Sequence, residues 1–189
     1  MKTTKILLTA FITIVFSMTA FSQAGDRLVS SKSHIKFFST TPAEDIEANN
    51  YSSTSTINTS NGNVVFSVPM QGFEFPKALM QRHFNNSDFL DTKQFPNARF
   101  VGKIVNLDQV DFSANGTYNA QVEGEMTIKG VTKPIRERGT ITVRGNSIEI
   151  NSKFNLTLAD YGIEFVKGKP ASNIAKTVEV TFVGEYQKQ

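Results

Sequence analysis

The chain of 189 residues contains no cysteine, so disulfides, thiolate metal sites and thiol nucleophiles are excluded. Its 20 Lys and Arg against 17 Asp and Glu give a formal charge of +3, too small to mark a nucleic-acid or anionic-surface binder. Sixteen phenylalanines and no tryptophan point to a fold held by apolar burial alone.

The N-terminus reads as a secretory leader. Lys2 and Lys5 precede the apolar run ILLTAFITIVF at 6–16, and small or polar residues follow at Ser17, Thr19, Ala20 and Ser22. The run is shorter than the roughly 20 residues a spanning helix needs. Cleavage is expected after Ala20 or after Ser22, with Ser22 preferred. Residues 1–22 are thus expected to be removed and 23–189 to form one domain. The two leader lysines account for part of the positive charge, and without them 18 basic residues face 17 acidic ones, a balance of +1.

Beyond the leader the dominant period is two, the signature of half-buried strands. It runs through 34–39, 63–70, 97–105, 117–128, 135–143, 147–156 and 176–186. In 117–128 the inward set is Tyr118, Ala120, Val122, Met126 and Ile128. In 97–105 it is Ala98, Phe100 and Ile104, and in 176–186 it is Val178, Val180, Phe182 and Tyr186. Asn61-Gly62, Asn115-Gly116, Lys129-Gly130 and Arg144-Gly145-Asn146 are turn signals between these runs. Gly102, Gly124, Gly139 and Gly184 fall on the inward phase, where they permit strong bending. Residues 33–50 carry Pro42, Glu44, Asp45 and Glu47. The three acids could be read as a calcium or acid–base cluster, but a solvated acidic loop accounts for them more simply.

Residues 76–96 break the alternation. Ala78, Leu79, Met80 and His83 have helical spacing after Pro76, and Ser87 is placed to cap a second short helix through Leu90 and Asp91. The predicted fold is therefore all-β and antiparallel, with a helical insertion at 76–96. Periodicity leaves a two-sheet sandwich and a closed up-and-down barrel as alternatives.

Catalytic signals are poor. His34 and His83 lie in different elements, a zinc site needs more ligands at suitable spacing, and there is no G-x-S-x-G elbow or phosphate-cradling glycine loop. No enzyme activity, metal or cofactor is expected.

Four segments occur in order: SHIKF at 33–37, LMQRHFNNSDFLDTKQFPNARFVGKI at 79–104, GTYNAQVEGEMTIKGVTKPI at 116–135 and LTLADYGI at 156–163. In these the chain resembles the YceI-like family of polyisoprenoid-binding proteins over residues 27–187. The resemblance implies a lipocalin-like antiparallel barrel of about eight strands, helices near one end, and a lengthwise apolar cavity for an isoprenoid or similar lipid. The acidic 33–50 segment departs from many relatives, which puts the ligand's identity in question. The cavity candidates are Phe37, Phe66, Val68, Phe100, Tyr118, Val122, Met126, Ile141, Ile150, Phe154, Val180 and Phe182. His83 and Asn85 are candidate head-group contacts at the mouth, although His83 could equally tether the helix. The expected function is an exported, periplasmic or secreted binding protein for transport, storage or sequestration of a lipid, with no nucleic-acid partner and no stable membrane insertion. The alternative is a structural or stress-related envelope protein whose barrel is filled and acts through its outer surface.

Overall fold

The computed structural model describes residues 26–163 and 173–188. The expected leader at 1–22 lies outside them. Ten antiparallel strands form one sheet: β1 (Arg27–Thr40), β2 (Asp45–Asn50), β3 (Thr54–Asn58), β4 (Asn63–Pro69), β5 (Phe73–Glu74), β6 (Asn97–Ile104), β7 (Gly116–Ile128), β8 (Val131–Arg144), β9 (Ser147–Thr157) and β10 (Thr177–Gln187). Among the described residues one α-helix, α1 (Ala78–Asn85), lies between β5 and β6. Among the described residues no helix is long and apolar enough to cross a membrane.

The sheet closes on itself because β1 pairs with β10 from Ser30↔Tyr186 to Phe38↔Glu179. The ring runs β1, β3, β4, β6, β7, β8, β9, β10, which makes an eight-strand antiparallel barrel with two extra strands. The extra strands continue two members of the ring. β2 and β3 both pair with β1, at 35–40 and 27–29, and are one strand interrupted at 51–53. β4 pairs with β3 and β5 pairs with β2, on either side of a 3-10 turn at Met70–Gly72.

Asn50 holds both interruptions together. Its Nδ2 donates to the Pro69 carbonyl at 2.8 Å, and its Oδ1 accepts from the Ser52 amide at 2.9 Å. The side chain is wholly buried, so these bonds replace pairing that the sheet abandons at the break. Gly72 passes so close that an added Cβ would lie 3.1 Å from Asn50 Nδ2 and would collide with Ser52 Oγ.

The expected strands of the C-terminal half are present. Lys129-Gly130 forms the tight β7–β8 hairpin with φ of 49° and 76°, the pair of positive values that a type I′ turn requires. Asn115-Gly116, by contrast, is no hairpin. Gly116 begins β7, and Asn115 Oδ1 accepts from the Gly145 amide at 2.7 Å, tying two loops at one end of the barrel.

Three expectations need correction. The 34–39 run is only the C-terminal part of a 14-residue strand. The acidic loop is largely strand β2, with Ile46, Ala48 and Asn50 buried and Asp45 and Glu47 on the outer phase. Glu47 pairs there with Lys36 at 3.5 Å. The second short helix does not form. Residues 87–90 are turns, because Asn86 Oδ1 takes the Ser87 amide at 2.8 Å and Asp91 adopts φ 46°, outside helical space.

The interior holds two apolar clusters. One, toward α1, is built on Ile35, Met70, Phe73, Phe84, Leu90, Leu158, Tyr161 and Phe182. The other, at the far end, contains Leu28, Ile57, Val64, Ile104, Ile141, Val143, Ile148 and Tyr186, with Val110 and Phe112 of the β6–β7 connection packed against it. Tyr186 is fully buried there, its hydroxyl 2.5 Å from Ser55 Oγ. Burial pushes that phenol up to about 12, the Ser55 bond opposing, so it stays neutral.

Asn50→Ala removes the partners of the Pro69 carbonyl and the Ser52 amide and leaves a gap at a buried position. It should cost about 1–3 kcal/mol in urea unfolding. A loss below about 1 kcal/mol would show that the interruptions are held by packing instead.

Candidate functional site

Between the two clusters the barrel is hollow. A cavity of about 770 Å³ runs from the α1 end inward, and its walls are overwhelmingly apolar. Closed barrels of eight strands leave interior room for one small ligand. Here the room exists because of where the large rings lie. Phe100 stretches over the facing pair Gly102 and Gly124, where an added Cβ on Gly102 would sit 2.5 Å from Phe100 Cζ. Phe182 likewise covers Gly184, and Phe66 meets both rings, at centroid separations of 6.1 Å and 4.9 Å. Glycine on the inward phase lets these rings lie along the wall rather than across the bore.

Eleven of the twelve cavity candidates line this space: Phe37, Phe66, Val68, Phe100, Val122, Met126, Ile141, Ile150, Phe154, Val180 and Phe182. Tyr118 does not. It stands near the start of β7, packs on the far cluster, and its hydroxyl donates to the Ala114 carbonyl at 3.0 Å. His83 lies on the rim, exposed, on the side of α1 that borders the cavity. Asn85 is not brought there. Its Nδ2 donates to the Gln81 carbonyl at 2.9 Å and its Oδ1 accepts from Thr92 Oγ1 at 2.8 Å, so its amide stitches the insertion to itself.

Several lining residues escaped the sequence reading. Ile46 and Ile57 were hidden in the polar segments DIEANN and TSTIN. Phe73, Phe75, Phe84 and Phe89 form an aromatic cluster with Phe37 beside the mouth, with centroid separations between 5.0 and 6.3 Å. Their signal was the density of Phe between 73 and 89, which alternation alone does not exploit.

The mouth is strapped by polar contacts. Lys77 Nζ donates to Glu44 Oε1 at 2.5 Å, joining the start of α1 to the β1–β2 turn. Asn173 Nδ2 reaches Glu44 Oε2 at 3.3 Å. The Lys77 hydrogen bond holds the Glu44 carboxyl below its ordinary range, with partial desolvation opposing.

One charge faces inward from the barrel wall. Glu137 is paired in register with Val122, which lines the cavity, and it lines the cavity too. No hydrogen bond or ion pair joins its carboxylate to a described residue. Desolvation raises its pKa above the ordinary range, while that of Tyr161 is raised by burial first, then by the charge of Asp160, and last by Glu137. The parity of Ile135, Gly139 and Ile141 already placed Glu137 on this face.

The two histidines do not meet. His34 faces out, stacked on Tyr51 at 4.6 Å, with Nε2 2.8 Å from Asn49 Oδ1. Among the described residues no group of three or more His, Cys, Asp or Glu is arranged to hold a metal ion.

A raised carboxyl pKa means that the folded chain binds a proton more tightly than the unfolded one. Stability from this group is therefore lost as pH rises from the ordinary glutamate value of about 4.3 through the raised value. Glu137→Gln should accordingly raise the melting temperature at neutral pH, and the gain should vanish near pH 4. An equal shift at both pH values in paired thermal melts would show that the carboxylate is not desolvated.

A family model described as the YceI-like domain matches residues 27–186. A UPF0312 protein of Pseudomonas putida (strain W619) is 31% identical over 117 residues, which is 59% of this chain and 56% of that protein. The chain thus spans little more than half the length of the curated relatives it matches. Among solved structures, a polyisoprenoid binding domain from Saccharophagus degradans superposes with a TM-score of 0.74 at 14% identity, over 87% of this chain and 99% of that one. Burkholderia cenocepacia BcnA gives 0.65 at 19% identity, over 81% and 95%. At these identities the structural matches establish the fold, and the family-model match over most of the chain establishes the lineage: the chain belongs to the YceI-like family.

Proposed function

We propose that this protein is an exported binding protein that holds an isoprenoid or similar amphiphilic lipid in its barrel, for transport, storage or sequestration. The observation that carries the reading is the apolar cavity of about 770 Å³, a size in the range of about 300–1,000 Å³ typical of small-molecule sites. An isoprenoid or acyl chain offers no charge to recognise, so its affinity comes from apolar area removed from water, about 25 cal/mol per Å² before the costs of association. A wall of Phe, Val, Ile, Leu and Met supplies that surface. The same hollow weighs against a solidly filled barrel acting only through its exterior.

Two further points support the reading. The Saccharophagus degradans neighbour with the same fold is described as a polyisoprenoid binding domain. Lys2, Lys5 and the 6–16 apolar run are the pattern of a secretory leader, which would deliver the barrel to the periplasm or the medium, beside membrane lipids. The role is that of a binder rather than an enzyme. The polar groups near the cavity are spread along its length, and the histidines are apart, His34 facing out from β1 and His83 on α1 at the rim.

The test is occupancy. Protein purified from its own host and examined by native mass spectrometry should carry a lipid that organic extraction releases. Ligand-free protein that takes up neither a polyprenol nor a fatty alcohol would overturn the reading. Val122→Trp and Met126→Trp put an indole into the bore from the two inward positions of β7 that flank Gly124. Each should abolish uptake while the strand signature in circular dichroism is retained, and unchanged uptake in a folded variant would remove that position from the ligand's path.

A further inference from the structure

The barrel wall is not uniformly closed. β8 and β9 pair from Arg144↔Ser147 to Gly139↔Ser152 and then part. Ser152 Oγ donates to the Arg138 carbonyl at 2.8 Å and marks the end of the pairing. Beyond it, residues 131–138 of β8 keep β7 on one side, and on the other no strand pairs with them among the described residues. Residues 153–157 of β9 pair only with β10. At the α1 end the β7–β8 turn is tied to the segment after β9, where Lys129 Nζ donates to the Gly162 carbonyl at 3.2 Å. The result is a seam in the wall, bordered inside by Ile135 and Glu137 on β8 and by Phe154 and Leu156 on β9.

Glu137 stands one inward position beyond the last β8–β9 pair, at the base of this seam. A carboxylate on an apolar wall is costly unless something pairs with it. The other charged groups in the lining are differently placed. Glu44 and Lys77 pair with each other at the mouth, Asp88 is exposed in the turns after α1, and Arg99 and Arg138 stand on the outward phase of their strands. Opposite Glu137 on β7 is the aliphatic Val122. Tyr161, in the 3-10 turn after β9, is the polar group whose own titration senses it.

We propose that the base of the β8–β9 seam is a head-group subsite. There the Glu137 carboxylate receives a hydrogen-bond donor from an amphiphile whose tail fills the cavity, with preference for an ammonium group and discrimination against anionic heads. This rests on the lipid-binding reading above and deepens it by naming the chemistry of the polar end. An ammonium supplies both the donor and the opposite charge that no described residue brings to the Glu137 carboxylate, and in a low-dielectric setting that pairing is stronger than in water. A phosphate or carboxylate head would face Glu137 with like charge. The long-range field contributes little, since without the leader 18 basic residues face 17 acidic ones. A preference for a cation must therefore arise locally.

The test is a series with one tail and varied heads: dodecylammonium, dodecanol, dodecanoate and dodecyl phosphate, below their micelle concentrations, titrated calorimetrically into delipidated full-length protein near neutral pH. In the wild type dodecylammonium should bind tighter than dodecanoate by about tenfold or more, the worth of one hydrogen bond to a charged group. In Glu137→Gln that ratio should fall to about threefold or less, and Glu137→Lys should invert it. The wild-type series alone decides the matter if a variant does not fold. Equal affinity for all four heads, or tighter binding of the anions, would overturn the head-group inference while leaving the apolar cavity reading intact. An unchanged ratio in a folded Glu137→Gln would remove Glu137 as its source. Failure of all four amphiphiles to bind would instead overturn lipid binding itself.

Discussion

The antiparallel pairing of β1 with β10 joins the last strand to the first and leaves the ring without a free edge. A sheet closed in this way has a perimeter fixed by its strand number, and side chains on the inner phase must either fill the bore or leave it hollow. With eight strands both outcomes are possible. This protein fills the end away from α1 and leaves the bore hollow from the α1 end inward, with Phe100 and Phe182 lying over glycines.

Closure also sets the terms for the polar groups. Backbone groups are paired around the ring, so the places where pairing stops stand out. At the β2–β3 and β4–β5 interruptions a buried asparagine side chain takes over the lost bonds, and the wall stays sealed. At the β8–β9 seam no comparable replacement follows Ser152 among the described residues, and the Glu137 carboxylate faces inward beside it. The first break is structural repair. The second combines an interruption, a cavity and an inward carboxylate that no described residue pairs with, which is why the head-group subsite is proposed there.

The strands of the C-terminal half were legible in the sequence because each buries one face only. Tyr118 to Ile128 and Val178 to Tyr186 alternate cleanly, and Lys129-Gly130 supplies the φ values that a two-residue hairpin needs. The N-terminal third was not legible. DIEANN and TSTIN are too short and too polar to show a period, since each lies in an interrupted strand whose continuity exists only through β1. The second helix expected after Ser87 failed because local side-chain bonds from Asn86 competed successfully with helical ones.

The residues that line the cavity were mostly visible as inward phases, and Glu137 was visible in the same way. Parity is a local property of the chain, and a period of two assigns each residue to a face whether or not its neighbours are known. The sequence by itself therefore determined the strands, their inward faces and the likeness to the YceI-like family. Tertiary structure alone decided that the sheet closes, that its centre is hollow, that Tyr118 and Asn85 are turned to other work, and that β8 and β9 part at Gly139. Each of these depends on which distant strand supplies the next hydrogen bonds, and no local pattern records that.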